Sequence, residues 1–166
     1  MISMIAAVGK NGELGKKGGL CFRIKEDMKF FKTQTTGHAV LMGLTTWKSL
    51  PGKLKDREHF VLTFDPNEDL PDGVTAVTDL PKFLKRWQGS SGKLFVIGGG
   101  SVYKQCLPFA DELILTEVEA EDKDADVFFP KFDQTCFKRS VISTQTSEFP
   151  HYSFVRYERK NKKESL

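Results

Sequence analysis

The sequence predicts an α/β fold with a mostly parallel sheet, and three observations carry that reading. Short apolar runs recur along the chain, and most are continuous rather than alternating, as in strands covered on both faces. Helix-compatible segments separate them, the alternation that builds parallel sheets from strand–helix–strand units. The last third abandons this alternation for two long strand-like segments with no helix between them, which predicts an antiparallel hairpin at one edge.

Taken in order, "MISMIAAV" (1–8) is a buried first strand, since it lacks the basic start of a signal peptide. "GKNGELGKKGGLCF" (9–22) holds five glycines in fourteen residues and reads as a long, mobile loop, placed to act as a lid. In "RIKEDMKFFKTQT" (23–35), Ile24, Asp27, Phe30, Phe31 and Gln34 fall on one side at helical spacing, leaving Lys25, Lys29, Lys32 and Thr33 to solvent. A carboxylate therefore sits inside an apolar stripe. Either it favours the positive end of the helix dipole, or it waits in the cleft for a polar ligand.

Strands follow at "HAVLMG" (38–43), "HFVLTF" (59–64), "VTAV" (74–77), "KLFVIGG" (93–99) and "ELILTEV" (112–118). Helices are predicted at 45–50, 79–87 ("DLPKFLKRW") and 101–107 ("SVYKQCL"). The closing hairpin joins "TCFKRSVIST" (135–144) to "HYSFVRYERK" (151–160), the latter with Tyr152, Phe154, Arg156 and Glu158 on one side.

At 166 residues without a dividing linker, one domain over 1–160 is expected, followed by a basic tail, 161–166. The net charge of +3 lies entirely in residues 156–166; the rest holds 20 basic and 20 acidic residues, which excludes a basic body suited to nucleic acid. No apolar run approaches the ~20 residues needed to span a bilayer. Three widely spaced cysteines without CxxC, and three unclustered histidines, give neither a disulfide framework nor a metal site, and fit a reducing cytoplasm.

Ligands of open α/β sheets bind beyond the carboxyl ends of the strands, and three segments point there. "VIGGGSVY" (96–103) runs from strand through three glycines into a helix, where the backbone approaches a ligand closely and free N–H groups face a phosphate. The alternative is a tight turn with no ligand. "VLMGLTTWKSL" (40–50) repeats the arrangement, with Thr45 and Thr46 in the first helical turn either capping the helix or meeting an anion. The glycine-rich 9–22 segment is the third. With one carboxylate, two phosphate cradles and a lid, and with no Ser-His-Asp or Cys-His pairing, a dinucleotide redox enzyme fits better than a hydrolase.

On these residues the chain resembles the dihydrofolate reductase family. "MISMIAAVGKNGELG", the acid of "EDMKFFK", "LMGLTTWKSL", the arginine of "KDREHFVL", "VIGGGSVY", "LILTEVEAE" and "DVFFP" follow the family's order and spacing from near the start to about residue 160. The resemblance implies an eight-stranded, mostly parallel sheet with an antiparallel C-terminal edge and about four helices. It implies hydride transfer from NADPH to C6 of dihydrofolate with protonation at N5. Asp27 matches the single buried acid and Thr116 the threonine linked to it. Ile5 and Ala6, with Met28, Phe31, Leu54, Ile97 and Tyr103, are implied around the substrate, and Arg57 as the grip on its glutamate carboxylate. Ala7, Leu14, Gly15, Gly43, Leu44, Thr45, Thr46, Leu62, Thr63, Phe64, Gly98, Gly99, Gly100, Ser101 and Val102 are implied around the cofactor, with a cis bond between Gly98 and Gly99. Dihydrofolate and antifolate inhibitors are the implied partners, with no metal, nucleic acid or membrane, and a cytoplasmic monomer is expected.

Two departures from the family pattern stand out. A Pro-Trp pair is replaced by Cys21-Phe22, and Phe22, placed with the catalytic groups, lacks an N–H donor. Around the 2′-phosphate, where the family is basic or hydroxylic, this chain has Leu44, Phe64 and Ser101 with Asp65 adjacent, which predicts weakened discrimination against NADH. A pyrimidinone or pterin reductase of the same fold, and a catalytically weakened folate binder, remain the alternatives.

Overall fold

The computed structural model describes residues 1–160; the predicted basic tail, 161–166, lies outside the described residues. The elements in chain order are β1 (Ile2–Val8), β2 (Glu13–Lys16), β3 (Gly19–Leu20), α1 (Lys25–Thr35), β4 (Ala39–Gly43), α2 (Leu44–Ser49), β5 (Glu58–Leu62), β6 (Val74–Val77), α3 (Leu80–Gln88), β7 (Leu94–Val96), α4 (Gly100–Cys106), β8 (Glu112–Val118), β9 (Val127–Phe128), β10 (Phe137–Gln145) and β11 (Tyr152–Arg159). Short 3-10 turns cover Leu107–Phe109 and Gln134–Cys136.

The main sheet has eight strands in the order β10-β11-β8-β1-β7-β4-β5-β6. The pairings from β8 to β6 are all parallel; β11 joins β8, and β10 joins β11, antiparallel. The predicted edge hairpin is therefore present. Central strands are buried on both faces, which explains their continuous apolar runs: Ile2, Met4, Leu41, Val96 and Leu113 serve one core, and Ile5, Val40, Met42, Phe95 and Ile114 the other.

Helices α3 and α4 supply Phe83, Leu84, Val102, Tyr103 and Cys106 to the first core, while α1 and α2 place Phe30, Phe31, Leu44 and Trp47 against the second. Helix α3 begins at Asp79, whose carboxylate accepts the Lys82 N–H at 3.2 Å, with Pro81 in the first turn.

The glycine-rich segment 9–22 differs from the predicted loop. It folds into β2 and β3, and β2 pairs antiparallel with β3 on one side and β9 on the other in a separate three-stranded sheet. Leu14 and Glu13 are buried within it. The two-residue strands β3 and β9 have no readable periodicity, and β9, which pairs with β2, lies more than a hundred positions from it, so neither feature shows in the local pattern.

Candidate active site

Neighbouring strands β4 and β7 send their following helices to opposite faces, α2 to one and α4 to the other. Such a divergence opens a crevice at the carboxyl ends of the strands, the usual ligand position in open α/β sheets. The candidate residues gather there.

Asp27 lies in the first turn of α1, partly covered, on the side that carries Ile24, Phe30, Phe31 and Gln34; Lys25, Lys29, Lys32 and Thr33 are exposed, as the spacing predicts. Across the cleft, Thr116 on β8 is 2% exposed, and its hydroxyl donates to Oδ1 of Asp27 at 2.5 Å. Burial raises the Asp27 pKa above the ordinary carboxylate value, and the Thr116 hydrogen bond opposes this by favouring the ionised form. Phe30 stacks on Phe154 with ring centroids 4.0 Å apart, and Phe154 pairs with Thr116 in the ladder. An aromatic stack thus joins the Asp27 helix to the strand next to Thr116.

The two glycine-led helix starts meet side by side. The Gly43 N–H donates to the Gly98 carbonyl at 2.9 Å, joining the ends of β4 and β7. The Gly98–Gly99 peptide is cis, and Gly98 has φ +133°, a conformation L side chains rarely adopt. A Cβ built at Gly98 or Gly99 would lie 3.5 Å from the Thr46 hydroxyl, and one at Gly43 would lie 3.1 Å from Val102 Cγ2. Side chains are thus kept out of the space between α2 and α4. This bare backbone suits a pyrophosphate. Tyr103 closes the rear: its buried hydroxyl donates to the Ile5 carbonyl at 2.7 Å, and burial raises its pKa far above normal.

Arg57 occupies the other end of the cleft. Its Nε donates to the Lys55 carbonyl at 2.9 Å and its Nη1 to the Thr35 hydroxyl at 3.1 Å, while that hydroxyl donates to the Phe31 carbonyl at 2.9 Å. Only part of the guanidinium's five-donor fork is consumed, leaving N–H groups for a carboxylate. Burial lowers the Arg57 pKa, without approaching neutrality for a guanidinium.

The small sheet is pinned to the 119–126 segment. Glu13 is 2% exposed; its carboxylate accepts the Asn11 N–H at 2.6 Å and the Asp122 N–H at 2.7 Å. Lys16 Nζ pairs with Asp122 at 2.6 Å. Phe22 lies against Gly9 at the end of β1, where an added Cβ would sit only 2.8 Å from the ring.

The structure refines several predicted positions. Thr45 and Thr46 do not cap α2, because Gly43 occupies the cap and no side chain bonds the first turn. Leu14 and Val102 are core side chains. The Thr63 hydroxyl is buried and accepts the Asp65 N–H, while Ser101 accepts from Gln105. Met28 is exposed, as is Phe64. Leu44, Leu54, Leu62 and Ile97 are half-buried, and Gly15, Ala6, Ala7 and Gly100 line element ends near the cleft. The sequence pattern does not single out Thr35, which meets Arg57, or His59, which meets the Leu54 N–H; helical spacing from Phe31 signals Thr35, and no local signal marks His59.

This parallel-sheet scaffold, with its lone half-buried acid and glycine cradle, defines an enzyme of the open α/β class. Comparison with known proteins makes the assignment specific. The family model described as dihydrofolate reductase matches residues 1–159. The chain is 35% identical to dihydrofolate reductase of Bacillus subtilis, over 97% of this chain and 96% of that protein. It is also 35% identical to dihydrofolate reductase HdrB of Haloferax volcanii, over 95% and 82% respectively. A solved dihydrofolate reductase from Enterococcus faecalis, complexed with NADP(H) and RAB-propyl, superposes with a TM-score of 0.86 at 25% identity, covering 97% of both chains. The chain belongs to the dihydrofolate reductase family.

Proposed function

We propose that this chain reduces 7,8-dihydrofolate to 5,6,7,8-tetrahydrofolate with Asp27 holding the proton destined for N5, a reading carried by the Asp27–Thr116 hydrogen bond inside the cleft. Burial keeps the carboxyl's pKa above its usual range, so the group exchanges its proton closer to neutrality than an exposed acid does. Thr116 commits Oδ1, so Oδ2 is the oxygen left to meet a ring N–H. Ile5, Ala6, Phe31, Leu54 and Ile97 supply the walls, Met28 the exposed rim, and Arg57 the grip on the glutamate carboxylate.

NADPH, when bound, supplies the hydride for C6. Gly43, Thr46 and Gly98 to Ser101 would hold its pyrophosphate, and the bare backbone between α2 and α4 fits that group. The region of Leu44, Phe64 and Asp65 supplies no cation for a 2′-phosphate, which supports use of NADH beside NADPH. Antifolates occupy the same cleft. The domain spans residues 1–160, and three free cysteines accord with a reducing cytoplasm. Among the described residues no helix is long and apolar enough to cross a membrane.

The test is steady-state loss of reduced nicotinamide absorbance with dihydrofolate, run with NADPH and with NADH, beside Asp27→Asn. Turnover that survives the substitution unchanged overturns the role given to Asp27.

A further inference from the structure

We propose that His59, as a neutral ring, is the positioning residue that shapes the 53–57 loop so that Leu54 and Arg57 meet the substrate's tail. The inference rests on Arg57 as the carboxylate grip. His59 sits on β5 at 1% exposure, between Val40 of β4 and Val74 of β6. Its Nε2 accepts the Leu54 N–H at 2.9 Å, so in the neutral ring the proton lies on Nδ1. Nδ1 is buried without a hydrogen-bond partner, and the Arg57 backbone lies close to the ring. Trp47 of α2 meets the ring edge-on at 6.0 Å. A single side chain therefore touches the backbone at Leu54 and at Arg57.

The loop has few other ties. The Gly37 N–H donates to the Asp56 carbonyl at 2.7 Å, and Asp56 itself has φ +60°. Lys53 Nζ donates to the Asp72 carbonyl. The chain thus turns sharply between Leu54 and β5, and the imidazole lies under the turn.

Protonation would place an N–H on Nε2, pointing at the Leu54 N–H. Two donors cannot share that contact, so the loop must shift. The charged groups facing His59 are Arg57 and Lys53, both cationic, while Trp47, Val40 and Val74 bring no charge. Burial, the largest cause, and both cations favour the neutral ring at neutral pH, against an opposing pull from the Arg57 backbone.

The test compares dihydrofolate with a dihydropterin lacking the aminobenzoyl-glutamate tail, since both meet Asp27 and only one needs Arg57. For His59→Leu, which removes the acceptor, dihydrofolate KM rises about tenfold while dihydropterin KM and kcat stay within about twofold. His59→Gln, which keeps an acceptor, restores dihydrofolate KM to within about threefold of the parent. On lowering the pH through the acid range, the KM ratio of dihydrofolate to dihydropterin rises in the parent and stays flat in His59→Gln. The pH arm decides the matter if His59→Leu does not fold. Arg57→Leu is the control: loss of tail preference there, but not in His59→Leu or in the pH arm, overturns the inference. If Arg57→Leu leaves tail preference intact, the Arg57 assignment fails and the inference falls with it.

Discussion

Thr116 and Asp27 stand 89 positions apart, yet the Thr116 hydroxyl reaches Oδ1 of Asp27 at 2.5 Å. Helix and sheet are joined through a carboxyl of the cleft whose pKa burial raises. The same burial that prepares the group for proton exchange disfavours its ionised form in the folded state. Function and stability are therefore set against each other at Asp27.

Asp27→Asn separates the two. The folded pKa is raised, so the stability Asp27 allows is complete below its unfolded pKa and is lost as pH rises through the folded value. Asn keeps an acceptor for Thr116 without the charge. The variant should be more stable than its parent near about pH 7 and equal to it near about pH 3, as read from urea midpoints. Its kcat/KM with dihydrofolate should fall roughly 10²–10⁴-fold.

Thr116→Val removes the donor that stabilises the carboxylate. The Asp27 pKa should then rise further, moving the alkaline limb of the kcat/KM profile to higher pH. Activity below that limb should drop by up to roughly tenfold, because the protonated carboxyl loses the hydrogen bond that orients it. An unmoved limb would show that Asp27 does not set the profile.

The elements that hold these residues were readable because both cores reward continuous apolar runs, which the central strands β1, β4, β7 and β8 carry. The stripe holding Asp27 was readable for the same reason: Phe30 and Phe31 fix which side of α1 faces inward. Whether its acid was a dipole partner or a site residue was not, because Thr116 is remote in sequence. The lid sheet was hidden by its shortness, and its anchor Glu13 looked like any loop acid. His59 gave no sign because its partner is a backbone N–H five residues away, which no side-chain pattern encodes.

Glu13→Ala tests the lid anchor. Two charge-assisted hydrogen bonds are lost from a buried carboxylate, and the Asn11 and Asp122 N–H groups are left without them. Stability should fall by about 3 kcal/mol. Amide exchange across 9–22 should accelerate more than in the main sheet. Uniform acceleration would instead mean that the small sheet unfolds only with the whole domain.

Gly98→Ala probes the cradle. At φ +133° an alanine costs about 1–2 kcal/mol in backbone strain. Its methyl group also points toward the Thr46 and Tyr103 hydroxyls. The KM for NADPH should rise several-fold more than that for dihydrofolate. Equal changes in both would place the defect in global stability instead of the cofactor cradle.

Leu44→Arg tests cofactor choice. Leu44 opens α2 and is half-buried, whereas Phe64 and Asp65 are exposed and bring no positive charge. An arginine at position 44 offers a planar fork to a 2′-phosphate, and one such bond to a charged group is worth ~1.5–3 kcal/mol. NADPH kcat/KM should therefore increase by roughly tenfold or more, with little change for NADH, whose ribose hydroxyl makes no comparable demand. The effect should shrink with added salt, because the guanidinium and phosphate are near the surface. An equal gain for both cofactors would place Leu44 against the shared part of the dinucleotide. A parent enzyme that already rejects NADH as strongly as the arginine variant would show that discrimination resides outside Leu44, Phe64 and Asp65.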